Sequence, residues 1–337
     1  MTREITYKEA ITEALLIAMR SDDNVIIMGE DLVGGLGKGD PSLIDAWGGP
    51  FGATKGFYRE FGPKRIFDTP ITENAFIGAA IGASMEGLRP VVELMYIDFI
   101  GVCFDLFLNQ ASKQRYMFGG IQKNPITVRT TYGCGWREGA HHSHVNYSII
   151  CHIPGWYVIA PSNPSDMKAG LLASIRNDNP VVVFEHRILY DKKGPVEEGD
   201  FQLPVGKGKV KREGKDLTIV AIGNMVSKAL NVAQKMSDEG ISVEVIDPVW
   251  LSPLDEKLIT DSVEKTGRIL IIDEDNPRCS VASEIASVIG RKSIEYLNSP
   301  IQILSSPHTP VPFSPVLEDE YMITENKIED MVRKGMK

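Results

Sequence analysis

Apolar residues along this chain fall into two alternating patterns, helical spacing and short unbroken runs, from one end to the other. In residues 7–19, Ala10, Ile11, Ala14, Leu15 and Ala18 recur at helical spacing and predict a helix with one apolar face. Residues 25–28 form an unbroken apolar run closed by Gly29, the pattern of a strand buried on both sides. Runs at 66–67, 91–95, 126–129, 157–160 and 181–185 predict further strands, and helices are predicted at 74–86, 98–116 and 164–176. Thr72 is placed to cap the 74–86 helix and Gly87 to stop it. Between residues 189 and 216 the composition shifts to Lys, Gly, Glu and Pro, which predicts a domain crossover with short hairpin strands. The rhythm then restarts, with strands at 217–222, 243–246, 269–272 and 301–304 and helices at 226–237, 254–265 and 280–289. An acidic stretch from Glu318 to Arg333 predicts a terminal helix. Continuous apolar strands separated by helices imply an α/β chain with parallel sheets covered on both faces. The expected organisation is two three-layer domains, 1–190 and 217–337, joined by a linker over 191–216. Repeats and low-complexity tracts are absent from the sequence.

Composition narrows the class of partner. A length of 337 residues fits about two domains, and 43% hydrophobic with 24% charged residues is ordinary for globular chains. The net charge of −9 and the lack of a long basic run argue against nucleic acid or an anionic membrane as the main partner. No apolar run reaches membrane-spanning length, and the first residues lack a secretory signal pattern. Cys103, Cys134, Cys151 and Cys279 are scattered without a CxxC pair, which fits reduced thiols in the cytoplasm. A glycine-rich stretch around Gly34, Gly35, Gly37 and Gly39 lacks the Ser or Thr after its lysine that a phosphate loop needs. It reads as a flexible loop near a cleft.

Glu73 is the first candidate for chemistry. It stands at the start of a helix rich in small residues: Ala75, Gly78, Ala79, Ala80, Gly82 and Ala83. Small residues at this spacing admit a second backbone at close range, and a helix packed there desolvates the carboxylate. Against that stands plain complementarity to the helix dipole, which enriches acids in first turns generally. The second candidate is the cluster His141, His142 and His144 behind a glycine-containing loop. Three imidazoles suit zinc, yet neighbours on an irregular segment rarely converge on one ion; a solvated polar loop is the alternative.

The spacing Glu73, four residues, Gly78, three residues, Gly82 resembles the pyrimidine-binding motif of thiamine-diphosphate enzymes. RYMFGG (115–120), AHHSH (140–144), HIPG (152–155) and Asn179-Pro180 extend the resemblance over essentially the whole chain. The chain resembles the beta subunit of the decarboxylating first component of 2-oxoacid dehydrogenase complexes. That resemblance implies a thiamine pyrimidine-binding domain followed by a transketolase C-terminal-like domain. It implies an oxidoreductase acting on an oxo or aldehyde group with a lipoyl disulfide as acceptor, active only with an alpha subunit. It makes Glu73 the carboxyl group that bonds the cofactor's pyrimidine ring and tunes its proton chemistry. It puts His142 in the substrate channel, stacks Phe99 on the aminopyrimidine, and brings Met95 and Glu30 near the cofactor. Phe99 otherwise reads as an ordinary core residue. His141 and His144 occupy positions where the family more often has glutamine.

Ile126, Ser174, Asn177 and Asn179 match a potassium-binding loop of some relatives, with Asn177 and Asp178 interchanged relative to the usual order. No segment matches the element with which thiamine enzymes hold Mg²⁺ and diphosphate; in this family the alpha subunit carries it. The resemblance therefore implies a heterotetramer of two alpha and two beta chains. It also implies self-pairing of beta chains and an acyltransferase core bearing lipoyl groups, docked near Glu284. Acetoin, pyruvate and branched-chain oxo acids all remain open as substrates, with the glycine loop closest to acetoin-type members. Rival readings are the C-terminal half of a split transketolase and a non-catalytic scaffold subunit.

Overall fold

The computed structural model describes residues 2–34, 45 and 47–337. Most of the glycine-rich loop, including Gly35, Gly37 and Gly39, lies outside the described residues. In chain order the strands are β1 (Thr2–Thr6), β2 (Val25–Gly29), β3 (Ile66–Asp68), β4 (Arg89–Tyr96), β5 (Thr127–Tyr132), β6 (Tyr157–Ile159) and β7 (Val181–His186). They continue with β8 (Lys193–Glu197), β9 (Lys209–Arg212), β10 (Leu217–Ala221), β11 (Val243–Asp247), β12 (Trp250–Ser252), β13 (Ile269–Asp273) and β14 (Gln302–Ser305).

A seven-stranded sheet has the order β12-β6-β7-β5-β4-β2-β3 and is parallel except at β12. A five-stranded sheet has the order β14-β13-β10-β11-β9, with β9 antiparallel. Alternation along β7 sorts the layers: Val181 and Val183 pack with helices Tyr7–Ser21 and Pro164–Ile175, and Val182 and Phe184 join the opposite core. That opposite core runs on into the second sheet through Val220, Ile246, Ile269 and Ile271. The outer face of the second sheet packs on helices Met225–Asp238 and Glu325–Gly335.

Local rules account for the clear elements. Thr6 and Glu9 form a reciprocal capping box on Tyr7–Ser21. Gly87 ends helix Glu73–Met85 with φ +95, a left-handed turn in which Leu88 N–H reaches back to Ala83 O. Thr72 does occupy the N-cap position, but its hydroxyl donates to Pro70 O and does not cap the helix.

Several expectations fail for non-local reasons. The helix expected over 98–116 is three pieces: a 3₁₀ segment Ile97–Cys103, a π-helical segment Leu106–Ala111 and one α turn Gln114–Met117. Trp156 Nε1 donates to Phe107 O at 2.9 Å and Asn124 Nδ2 to Ala111 O at 2.8 Å. Side-chain donors on those carbonyls displace the regular i→i−4 ladder and widen the turn. The crossover strands form no hairpin: β8 pairs with β1, and β9 pairs with β11. The terminal helix divides into Pro315–Tyr321 and Glu325–Gly335, because Ile323 is buried and Thr324 starts a new helix by accepting from Lys327 N–H.

Polar groups tie the halves together along a buried seam. Ser162 Oγ donates to Asp247 at 2.5 Å, Ser148 Oγ to Asp275 at 2.5 Å, and the Tyr147 hydroxyl to Asp273. His186 Nε2 meets Glu274 at 2.9 Å with both side chains buried. Gly133, at φ +93, is required there, because a Cβ would fall 2.4 Å from His186 Nε2.

Candidate active site

In open parallel sheets, ligands bind beyond the C-terminal strand ends. Glu30 follows β2, Glu73 lies five residues beyond β3, Tyr96 closes β4, and Arg187 follows β7. Glu73 opens helix Glu73–Met85 and is 7% exposed. Among the described residues it has no hydrogen-bond or ion-pair partner. Glu30 is 5% exposed, and its carboxyl is pushed up to about 7 by burial first and then by Glu73, Asp31 and Glu93. Glu30 thus keeps its proton to near neutral pH beside a second buried acid. The Cys103 thiol is pushed up to about 12 by burial and by Glu73, so it packs as a neutral group.

A folded-state pKa above the ordinary carboxyl range opposes folding once the unfolded chain ionises. The opposition of Glu30 grows as pH rises through 4.5 and levels off above about 7. Glu30→Gln is therefore expected to raise the thermal midpoint at pH 8 and to leave it nearly unchanged at pH 4.5. Equal effects at the two pH values in thermal denaturation would exclude this origin.

The other side of the site is aromatic. His142 stands edge-on to Tyr96, centroids 4.6 Å apart, and to Phe99 at 5.5 Å. Phe51 meets Tyr96 edge-on at 5.9 Å, and the Arg187 guanidinium lies 4.4 Å over Phe51 and 4.7 Å over Trp136. The Tyr96 hydroxyl donates to Glu138 at 3.2 Å and accepts from Arg187 at 3.3 Å. Met95 is half-buried on β4, its carbonyl taking the Thr131 hydroxyl. His144 Nδ1 bonds Asp98, and His141 is exposed. The imidazoles thus turn to separate partners, and among the described residues no three His, Cys, Asp or Glu are arranged to hold a metal.

Ser174, Asn177 and Asn179 are joined by Asn177 N–H to Ser174 O and Asn179 N–H to Asn177 Oδ1, and Ile126 O accepts from Val181 N–H, two residues on. Their side chains are committed within the chain: Ser174 Oγ to Gly170 O, Asn177 Oδ1 to Asn179, and Asn179 Oδ1 to Arg115. A cation there would rely on main-chain carbonyls, and Arg89 already donates to those of Ile175 and Asn177. The helix expectation is also sharpened. Gly78 faces Leu106 of the same chain, its ideal Cβ 3.6 Å away, and Ala75, Ala79 and Gly82 are the exposed small residues.

Sequence reasoning missed Tyr96, Asp98, Glu138 and Arg187. Position at or just beyond the ends of β4 and β7 was the signal that marks Tyr96, Asp98 and Arg187; Glu138 carried none.

Residues 3–193 match the family described as transketolase, pyrimidine binding domain, and residues 206–328 the transketolase C-terminal domain. The chain is 51% identical over 328 residues to the acetoin:2,6-dichlorophenolindophenol oxidoreductase subunit beta of Bacillus subtilis, covering 97% of this chain and 96% of that one. It is 38% identical to the pyruvate dehydrogenase E1 component subunit beta of Rickettsia felis, covering 98% of each. A solved split gene transketolase, described as an inactive beta4 tetramer, superposes with a TM-score of 0.77 over 98% of each chain at 24% identity, a likeness of fold. With both domain families matched in order and full-length identity of this level, the chain belongs to the beta subunits of thiamine-diphosphate-dependent 2-oxoacid and acetoin dehydrogenases.

Proposed function

We propose that this subunit binds the pyrimidine half of thiamine diphosphate and, with an alpha subunit, cleaves acetoin or a 2-oxo acid next to its carbonyl group. The acyl fragment then passes to a lipoyl group on a partner acyltransferase. One observation carries the reading: a buried Glu73 carboxylate that has no partner among the described residues, set beside a second acid held near neutral pKa. A desolvated acid of this kind calls for a donor from outside the chain, and a ring nitrogen of the aminopyrimidine supplies one. Thiamine diphosphate, when bound, contributes the electron sink for cleavage. Glu73 holds the proton at the ring nitrogen, Phe99 offers an aromatic face, and Glu30 places a second buried acid beside Glu73. His142, fixed edge-on by Tyr96 and Phe99, faces substrate and incoming acceptor.

Mg²⁺ and the diphosphate belong to the alpha subunit in this reading. Alpha also covers the small-residue face of Ala75, Ala79 and Gly82. Two alpha and two beta chains assemble, the beta chains pair with each other, and the acyltransferase docks near Glu284. A potassium ion at the 174–179 loop would be held by carbonyl oxygens. No helix among the described residues is long and apolar enough to cross a membrane, and we place the enzyme in the cytoplasm.

The test is co-expression with the alpha subunit, followed by dye-reduction assays on acetoin, pyruvate and 2-oxoisovalerate, and a ketol-transfer assay on a ketose phosphate. Dye reduction dependent on thiamine diphosphate with at least one of the first three is expected. Ketol transfer alone, or no cofactor binding by the assembled protein, overturns the proposal.

A further inference from the structure

Behind the glycine loop, burial alternates along the chain: Ser143 and Val145 are buried, and His142 and His144 between them are half-exposed. The two imidazoles therefore project to one side of an extended stretch. That side faces the segment leaving the end of β4, where His142 meets Tyr96 and Phe99, and His144 meets Asp98. Asp98 directly precedes Phe99, and its carboxylate is 6% exposed. Its Oδ1 accepts from His144 Nδ1 and, at 3.4 Å, from the His144 backbone N–H.

A carboxylate on Nδ1 fixes the tautomer. The proton stays on Nδ1, and Nε2 presents a lone pair. The His144 side chain remains 32% exposed, which leaves it accessible to an incoming group. Asp98 also raises the basicity of the ring, through its hydrogen bond first and its charge besides, against the opposing effect of burial; Asp275, from the second half, adds to this rise. These are the charged groups that bear on His144 from the elements packed around it.

The two substrate classes differ in the need for a base. A 2-oxo acid loses CO₂ from an already ionised carboxylate. A 2-hydroxyketone breaks the bond between its carbonyl carbon and its carbinol carbon, and the carbinol half leaves as an aldehyde. The pair of the broken bond stays with the acyl fragment. The O–H pair becomes the second bond of the aldehyde carbonyl, and the hydroxyl proton must be removed.

We propose that the Asp98–His144 dyad adapts this subunit to 2-hydroxyketones: His144 Nε2 takes the hydroxyl proton as the carbon–carbon bond breaks, and Asp98 is the positioning residue. The inference rests on the thiamine-dependent reading above and narrows its substrate class.

The test uses the enzyme assembled with its alpha subunit, with acetoin and pyruvate as probes. His144→Gln is expected to lower kcat/KM for acetoin by on the order of 10²–10⁴-fold, the usual worth of a general base, with pyruvate-driven dye reduction within about threefold of wild type. Asp98→Asn is expected to move the acid limb of the acetoin kcat/KM profile to lower pH. A second readout needs no turnover. In cofactor-free enzyme, the pH midpoint of His144 modification by diethyl pyrocarbonate, followed by mass spectrometry, is expected to fall in Asp98→Asn. Equal losses on both substrates, or an unmoved midpoint, overturn the dyad and leave the thiamine reading standing. So does a wild-type enzyme that uses pyruvate and ignores acetoin. If wild type turns over acetoin alone, the pH limb and the modification midpoint decide. Absence of any thiamine-dependent turnover removes both readings together.

Discussion

Glu73→Gln, assembled with its alpha subunit, is expected to lose turnover by on the order of 10²–10⁴-fold and to keep its thermal midpoint. Glutamine preserves the shape of the side chain and one carbonyl acceptor, but cannot hold a charge or trade a proton with a ring nitrogen. Glu30 is close enough to feel the charge of Glu73 but is no substitute, because its own carboxyl sits near pKa 7. The fold should tolerate the change. Glu73 has no partner among the described residues, so neutralising it removes a desolvation cost and breaks no bond. Removing its charge should also let the Glu30 pKa fall, since, after burial, the charge of Glu73 does most to raise it. Steady-state dye reduction and differential scanning calorimetry on the same preparation separate the two effects. Turnover within about threefold of wild type would end the assignment of Glu73, and a collapsed midpoint would make its role structural.

The alternation of sheets and helices is legible because its signal is local. β2, β10, β11 and β13 are fully buried runs of five residues, and apolar composition alone marks most of them. β1, β8 and β9 are mixed-polarity strands, TREIT, KGPVE and KVKR, with at most one buried residue each. Their pairing is decided by what lies beside them in space. β12 is the extreme case: three residues from the second half add an antiparallel edge to the first sheet, with Ala160 N–H bonding Val249 O next to it. Nothing in the run VIDPVWLSP announces that attachment. The broken helix over 97–117 has the same origin, since its disrupting donors, Trp156 and Asn124, come from outside the segment.

Site residues divide along the same line. Glu73 was singled out by its place before a small-residue helix, and His142 and Phe99 by motif resemblance, which gives their roles as proposals. Tyr96, Asp98 and Arg187 make their side-chain hydrogen bonds with residues 42 to 91 positions away, so the sequence around each is uninformative. The histidine cluster shows the limit most clearly. Three imidazoles within four residues read alike in the chain, yet one is exposed, one packs on aromatic rings and one bonds a buried carboxylate.

Beneath the site, Arg129 is expected to be the most costly side chain to remove. It stands opposite Glu93 in the β4–β5 register and reaches Glu185 on β7 with a two-pronged contact at 2.7 and 2.9 Å. Its third bond, at 2.9 Å, goes to Glu93, and Tyr190 donates to Glu185 at 2.5 Å. All three charged side chains are at most 4% exposed. One guanidinium therefore holds two carboxylates in the middle of the sheet, and Glu93 is poorly served even so. Its Oε1 has no hydrogen-bond partner among the described residues, and burial keeps its carboxyl above the ordinary range.

Arg129→Met keeps the volume and strands both acids, for an expected loss of about 3–5 kcal/mol in denaturant unfolding at pH 8. Lysine should not rescue it, because a single ammonium cannot span two carboxylates in fork geometry. The pH dependence identifies the cause. Stranded acids acquire folded-state pKa values above their unfolded ones, so the variant loses stability as pH rises through that interval, and its deficit should be smaller at pH 5 than at pH 8. Adding Glu93→Met and Glu185→Leu should return most of the loss, since an apolar set can replace a buried ionic one with little net change. A deficit below about 1 kcal/mol, or one equal at both pH values, would mean that the sheet is held by its apolar layers and not by this ion triad. Glu93 is also among the charges that raise Glu30. The triad thus links the stability of the sheet to the protonation of the site above it, and Arg129→Met should disturb both.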